Sequence, residues 1–495
     1  MIDMKNKVVY FVVGSQHLYG EEVLKQVAEH GREIAMFFNS QKDNPVTIKY
    51  YDTVKTPEEI TAMARSVNSD PECIGIITWM HTFSPAKMWI NGLKILNKPM
   101  LHINTQFNEC IPYDTIDMDF MNLNQSAHGD REFGHIVSRL RIRRKVVAGY
   151  YKDEEVCKKI FTWCRAAAAA DKSNTLKVAR LGDNMREVAV TEGDKVEAQT
   201  RFGWSVNGYG IGDFLNYVNK VSPKETDRVI ENYKEQYILE KDVDIDAVKV
   251  QAKYEIALKR FLNEGGFSAF TTTFENLHGL EQLPGLACQT LMKEGYGFGA
   301  EGDWKTSAMT HLLKYMAQGL DGGTSFMEDY TYHLEKGKEA ILGAHMLEVC
   351  PSIADSKPSL EVHPLSIGGK EPPARLVFEG KTGNALLVTL IDLGDRFRMI
   401  VNQAEIIKPA SMPKLPVARV LWRPMPDLKT SAAAWIMAGG AHHSVLTTQL
   451  DLEHIRDFAR IMNVELVVID KNTDLDKLEN DLLISDFVWK NKSIY

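Results

Sequence analysis

Within the first hundred residues a short apolar run gives way to a stretch of helical spacing three times over, and no other feature of the sequence restricts its fold as much. Residues 8–13 (VVYFVV), 46–51, 74–80 and 99–104 have the length and the β-branched or aromatic content of strands. Residues 21–38, 57–68 and 84–96 carry apolar side chains at helical spacing. Thr56-Pro57-Glu58-Glu59 predicts a helix start, with Thr56 as N-cap, Pro57 in the first helical position and Glu59 placed to close a capping box. Strand, helix and strand in succession cross over right-handed, so the pattern predicts a parallel sheet covered on both faces. Ligands of such sheets bind beyond the carboxyl ends of the strands. Residues 14–20 (GSQHLYG) and 81–83 (HTF) follow the first and third strands, and are either part of that ligand-facing edge or plain polar connections.

With 495 residues the chain exceeds one ordinary hydrophobic core. A second α/β unit is expected near residue 170, where an alanine run, 166–170, ends a helix and 176–179 resumes a strand. Between 223 and 261 a highly charged stretch of helical spacing reads as a solvated helical pair. From Ala374 onward the pattern alternates, and 375–380 (RLVFEG), 385–393 (ALLVTLIDL) and 396–407 (RFRMIVNQAEII) are expected strands of an antiparallel unit. A helix near 452–462 and a strand, VELVVID, close the chain. The expected class is therefore α/β: a parallel βαβ N-terminal domain (1–172), a second α/β domain (173–325) and a C-terminal mainly antiparallel β domain (326–495).

A net charge of -8 and a pI near 6.0 supply no field to attract nucleic acid or an acidic membrane. The six cysteines, Cys73, Cys110, Cys157, Cys164, Cys288 and Cys350, form no CxxC pair, which disfavours a disulfide framework and a thiolate zinc site and suits a reducing compartment. The N-terminal apolar run is too short for a secretory signal, and no segment approaches the roughly 18 apolar residues of a membrane span. A soluble, cytoplasmic protein with no nucleic-acid or membrane partner is expected.

Polar residues that can do chemistry concentrate among glycines between 295 and 345. A Gly-rich loop delivers Glu301 just ahead of a helix starting near Asp303; Glu328 follows in an apolar and aromatic run; His345 stands between small and apolar residues. His442 and His443 follow a double glycine, and on a strand only one of them can face a given side. Each taken alone is as well explained by a solvated carboxylate or a satisfied core histidine. Converging, two carboxylates and two imidazoles would suit a divalent first-row metal, manganese above calcium or structural zinc. A polar stretch at 122–134 reads as a surface loop. A sugar-binding module and a metallohydrolase both fit parts of this pattern, although no HExxH-type helix is present.

The segments GSQHLYG, NLNQSAHGDREFG, GDNMREVAVTEGDK, FENLHGLEQLPGLA, GAEGDWK, GGTSFMEDYTYH, HMLEVCPSI, LEVHPLSIGGK and AGGAHH resemble, in order and across nearly the whole chain, those of the bacterial L-arabinose isomerases. The resemblance implies a fucose/arabinose isomerase-like fold and reversible conversion of L-arabinose to L-ribulose, the first step of L-arabinose breakdown, and leaves conversion of D-galactose to D-tagatose open. It implies one Mn2+ per subunit held by Glu301, Glu328, His345 and His443, with His442 as the alternative to His443, and acid–base work by Glu301 and Glu328. Sugar contacts would fall on Gln16, Leu18, Tyr19, Met185, Phe274 and Ile367. Gln125 and His128 would reach in from a neighbouring subunit of a homo-oligomeric trimer or hexamer. Leu181 stands where the family pattern has an aromatic and Ser366 where glycine is common, both beside contact positions. Which glutamate is the base, and whether a proton or a hydride moves between the carbons, stays open at this level.

Overall fold

The computed structural model describes residues 4–365 and 369–491. They fall into two compact units, one drawn from Met1–Asp171 and Glu453–Asn463, the other from Lys172–Leu452 and Val464–Tyr495. Among the described residues no helix is long and apolar enough to cross a membrane.

The first unit holds a parallel sheet of five strands, β1 (Val8–Val13), β2 (Thr47–Tyr50), β3 (Cys73–Trp79), β4 (Met100–Asn104) and β5 (Lys145–Ala148), in the order β2-β1-β3-β4-β5. Every residue of β3 is buried, as a strand covered on both faces requires. The expected helices are Gly20–Ser40 and Pro57–Ser69, while the third breaks into a 3-10 turn, Ala86–Trp89, and a short helix, Ile90–Ile95. Thr56 caps its helix by accepting from the Glu59 N–H, but the Glu59 carboxylate accepts from Lys55 rather than from Thr56, so the box closes one residue early. β5 is not anticipated by the sequence pattern, since four residues of alternating burial at a sheet edge carry little signal.

Because the sheet order makes β1 and β3 neighbours, the loops that follow them meet at the carboxyl edge. The Thr82 hydroxyl donates to that of Ser15 at 2.7 Å, and both side chains are fully buried. The stretch 122–134, expected as a surface loop, is instead mostly helical: it takes in the end of helix Met118–Leu123 and the first nine of the fourteen residues of helix Ser126–Arg139. Packing overrides its polar composition, for Gly129 lies so close under this loop that a Cβ there would meet the Thr82 carbonyl at 2.7 Å.

The second unit begins with another parallel sheet, formed by β6 (Lys177–Leu181), β7 (Ser205–Tyr209), β9 (Ala269–Thr272) and β10 (Gly297–Gly299) in the order β10-β9-β6-β7. The charged stretch folds into helices Pro223–Gln236 and Ile245–Gly265, separated by the two-residue β8 (Ile238–Leu239). The pair is not wholly solvated: Val248, Gln251, Ala252, Ala257, Leu258, Phe261 and Leu262 form a buried stripe on the second helix, hidden in sequence among charges of the opposite face. β8 joins β13 (Ser359–Val362) and β14 (Ala374–Val377) in a small sheet.

The remaining sheet runs in the order β15 (Gly383–Asp392), β18 (His443–Thr447), β11 (Thr324–His333), β12 (Ala340–Ala344), β17 (Arg419–Pro424), β16 (Phe397–Ile407), β19 (Glu465–Ile469). All its pairings are antiparallel except β16 with β19, and since β15 also pairs with β16, six of the strands close on themselves. Of the strands the alternation predicts, 385–393 and 396–407 lie here as β15 and β16, whereas 375–380 falls in the small sheet as β14. The last helix, Leu475–Lys490, follows strand β19 unannounced, since none of its residues is fully buried and its apolar positions do not keep to one stripe.

Lys145 on β5 is buried and reaches Asp457 at 2.5 Å and Glu453 at 2.6 Å, which fastens the returning segment 453–463 to the first unit. Lys145→Met leaves the buried Asp457 carboxylate opposite an apolar side chain, with an expected loss of about 3 kcal/mol. Amide exchange across 453–463 measures it: faster exchange in Lys145→Met and recovery in Lys145→Met/Asp457→Leu are expected, and unchanged exchange contradicts the assignment.

Candidate metal centre

The β11 register assembles most of the candidate site. Glu328 pairs with His443 of β18 on one side and with Ala344 of β12 on the other, and His345 is the next residue after Ala344. Directly opposed residues of an antiparallel pair project to the same face, so Glu328 and His443 share one end of the sheet. Phe326, two residues before Glu328, lies edge-on to His345 and His443, with ring centroids at 5.0 and 4.9 Å.

Glu301 arrives from the parallel sheet. The sequence pattern reads 295–305 as a Gly-rich loop; in the structure Gly297–Gly299 form β10, and only the turn 300–303 separates it from helix Trp304–Met316, which starts where expected and is capped by Asp303. Glu301 has φ of 60°, a left-handed conformation that costs a non-glycine residue of order 1 kcal/mol and recurs at functional sites. Gly302 must stay without a side chain, because φ is 78° and a Cβ would lie 2.5 Å from the Asn184 Cα. The Glu301 carbonyl accepts from the Met185 N–H at 2.9 Å, so the turn is held by the segment that follows β6.

The carboxylates and imidazoles meet. Glu301 Oε2 is 3.9 Å from His443 Nε2, Glu328 Oε2 is 3.8 Å from His345 Nε2, and the two imidazole centroids are 6.0 Å apart. His442 corrects one expectation. It precedes β18 rather than lying on it, so it escapes strand alternation and brings Nε2 to 3.4 Å from Glu301 Oε2. Ligand atoms of Glu301, His442 and His443 lie within 4.8 Å of one another.

Two further acids orient the buried histidines. His345 Nδ1 lies 2.5 Å from Glu348 Oε2, and His443 Nδ1 lies 3.2 Å from Asp303 Oδ2. A carboxylate beside Nδ1 accepts a hydrogen bond from the Nδ1–H, which fixes the tautomer and leaves the lone pair on Nε2. Both Nε2 atoms are buried without a hydrogen-bond partner. Two such nitrogens facing two carboxylates form a mixed donor set that fits a divalent first-row cation, with carboxylate–histidine pairs behind it. Sequence reasoning assigned no role to Asp303 or Glu348. The spacing His345-x-x-Glu348 was a usable signal; the Asp303–His443 contact, across 140 positions, had none.

Electrostatics agree with this fit. Burial drives the Glu301 carboxyl up, but the hydrogen bond with His442 and the charges of His443, His442 and His345 hold it below its ordinary value. For His345 burial works downward, yet Glu348 and then Glu328 and Glu301 raise it on balance. Burial and the neighbouring Glu328 push the Asp329 carboxyl up to about 7. Carboxylates that raise an imidazole's affinity for a proton also favour a cation at the same nitrogen.

Of the expected sugar contacts, Met185 and Phe274 belong here: Met185 bonds the Glu301 turn, and Phe274 lines a pocket with Glu301, His345 and Glu348. Within the first unit Gln125 Nε2 donates to the Tyr19 hydroxyl at 3.3 Å and Gln125 Oε1 is 3.2 Å from His128 Nδ1, which gathers three more of them. Gln16 stands at the start of the 3-10 turn His17–Tyr19, Leu18 is 81% exposed, and Ile367 lies outside the described residues.

Comparison with known proteins gives one consistent result. Models of the L-arabinose isomerase N-terminal, central and C-terminal domains match residues 3–175, 177–319 and 323–465. The L-arabinose isomerase of Geobacillus stearothermophilus is 55% identical over 99% of this chain and 100% of its own. That of Flavobacterium johnsoniae is 56% identical over 97% of each chain, and that of Thermotoga petrophila 53% identical over 99% of each.

If Glu348 sets the His345 ring for a cation, Glu348→Ala weakens divalent binding by about 10- to 100-fold. Titration calorimetry with Mn2+ on chelator-stripped protein reads this directly, and an affinity equal to that of the unaltered chain refutes it.

Proposed function

This chain belongs to the L-arabinose isomerase family, and on that footing we propose that it interconverts L-arabinose and L-ribulose at the cluster of Glu301, Glu328, His345 and His443. The observation that carries the site assignment is the pair of buried, unpartnered Nε2 atoms facing two glutamates. The fold is read as fucose/arabinose isomerase-like. Two carboxylates with two imidazoles favour Mn2+, one per subunit, over harder cations.

Isomerisation moves one hydrogen between neighbouring carbons and the carbonyl from C1 to C2. The C2 hydrogen is weakly acidic, so a base must stand beside it and the negative oxygen that develops must be stabilised. A divalent cation bound by Glu301, Glu328, His345 and His443 supplies Lewis-acid stabilisation of that charge. Glu301 and Glu328 divide the remaining work: one removes the C2 proton, the other serves the hydroxyl protons. Glu348 and Asp303 keep His345 and His443 from turning away. Phe274, Leu347 and Leu365 make the pocket wall apolar, which limits water at the reacting carbons. The free state of all six cysteines is in keeping with a cytoplasmic setting. D-Galactose, which shares the ring of hydroxyls up to C4, is a second substrate to be tried in the same assay.

Purified protein with Mn2+ is expected to convert L-arabinose to L-ribulose, to stop after chelation, and to recover better with Mn2+ than with Mg2+. Glu301→Gln and Glu328→Gln each lower turnover by at least about a hundredfold. In deuterated water the ketose gains deuterium at C1. Full activity without metal removes the site assignment, and product free of solvent deuterium favours a hydride shift, or a proton fully shielded from solvent, over free exchange.

Gln125 and His128 lie together in the first unit and, in this proposal, complete the sugar pocket of a neighbouring copy in a closed homo-oligomer. A Glu301→Gln chain and a His128→Ala chain, each inactive alone, then regain part of the activity when co-assembled, as measured by L-ribulose formation. Verified mixed assemblies that stay inactive place the whole site within one chain.

A further inference from the structure

Lys305 is a lysine where an apolar residue would be expected. It lies in the first turn of helix Trp304–Met316 and is 1% exposed. A buried ammonium persists where its charge and hydrogens are used. Its Nζ donates to the carbonyls of Thr191 at 2.9 Å and Glu192 at 2.5 Å and stands 3.7 Å from Asp303 Oδ1. The two carbonyls belong to the segment after β6 whose Met185 N–H binds the Glu301 carbonyl. Asn184 closes the same latch from its side, donating to the Thr191 carbonyl at 2.7 Å and the Gly302 carbonyl at 3.2 Å. On its other side Asp303 receives Thr306 and, through Oδ2, faces His443 Nδ1. A single buried cation is thus shared between the segment that bears Met185 and the acid that orients His443.

The geometry points to Lys305 as a positioning residue that sets two properties of the site at once: cation affinity, through Asp303 and His443, and sugar binding, through the 182–192 segment above Glu301. Lys305 touches neither the cation nor the sugar. Its ammonium holds the Asp303 carboxylate in place beside His443, and it stops the backbone at Thr191 and Glu192 from lifting away and taking Met185 with it. The inference rests on the metal-site reading above.

Lys305→Met keeps the length of the stem and removes the charge, whose Nζ lies 5.0 Å from the centroid of the Trp304 ring. Chelator-stripped parent chain, Lys305→Met, Asp303→Asn and the double variant are titrated with Mn2+ by calorimetry after circular dichroism confirms folding. The parent binds; Lys305→Met and Asp303→Asn each bind about tenfold or more weakly; and the double variant is no weaker than the weaker single, because both changes break one chain of contacts. A parent chain that binds no Mn2+ overturns the metal-site reading itself. A binding parent with an unaffected Lys305→Met, or losses that multiply in the double variant, overturns the role of Lys305 alone. If Lys305→Met does not fold, Asp303→Asn is compared with the double variant, which buries no unpaired charge: equal affinity upholds the inference and a further tenfold loss refutes it. At saturating Mn2+ the KM of Lys305→Met for L-arabinose rises severalfold while kcat changes less, and a fall in kcat at constant KM refutes the second role.

Discussion

The register of one strand governs this site. Glu328 on β11 is set opposite His443 of β18 and Ala344 of β12, and through Ala344 it fixes where His345 leaves the sheet. Side chains on a strand alternate in direction, so a slip of one residue would turn Glu328 to the other face and separate it from both imidazoles. The closed ring of strands makes such a slip hard, because β11 is paired along both edges and each partner is paired in turn. A site built on the middle of a sheet is held more firmly than one built on loops.

Glu301 is positioned by different means. It sits in a turn of four residues between β10 and helix Trp304–Met316, in a conformation unfavourable for a glutamate. The turn keeps that conformation because its backbone is bonded to the segment after β6 and because Asp303, immediately behind it, both caps the helix and meets His443. The parallel and antiparallel sheets of the second unit are therefore joined at the site by side-chain contacts rather than by strand pairing. This division places one carboxylate on a rigid sheet and the other on a strained turn, each with its own buried acid–histidine pair nearby.

Charge explains why those pairs are tolerated. Glu301, Asp303, Glu328 and Glu348 all lie close to His345 or His443, Asp329 lies beside Glu328 and His442, and burial alone would drive several of these acids toward the neutral form. Lys305 answers Asp303, and the imidazoles answer Glu301 and Glu348. A concentration of acidic groups around two unpartnered nitrogens is costly for the folded chain by itself and favourable for a divalent cation, so function and stability oppose each other here.

The repeated strand–helix pattern, the helix start at Thr56, the helix after Asp303 and the alternating strands beyond Ala374 were all legible, because each is written in local spacing of apolar residues and in capping chemistry. The sequence also marked Glu301, Glu328, His345 and the pair His442 and His443 as residues able to do chemistry, and motif resemblance joined them into one set. Local pattern failed where packing overrode composition. Residues 122–134 look like a polar loop yet lie mostly in helices pressed against Thr82, and the charged stretch 245–265 conceals a buried stripe. Only the tertiary structure decided that His442 escapes the strand, that Asp303 and Glu348 turn the imidazoles, and that a buried Lys305 ties two segments together. The physical reason is separation along the chain: strand and helix signals act over a few residues, whereas contacts such as Asp303 with His443 exist only once the sheets have fixed distant side chains at hydrogen-bonding distance.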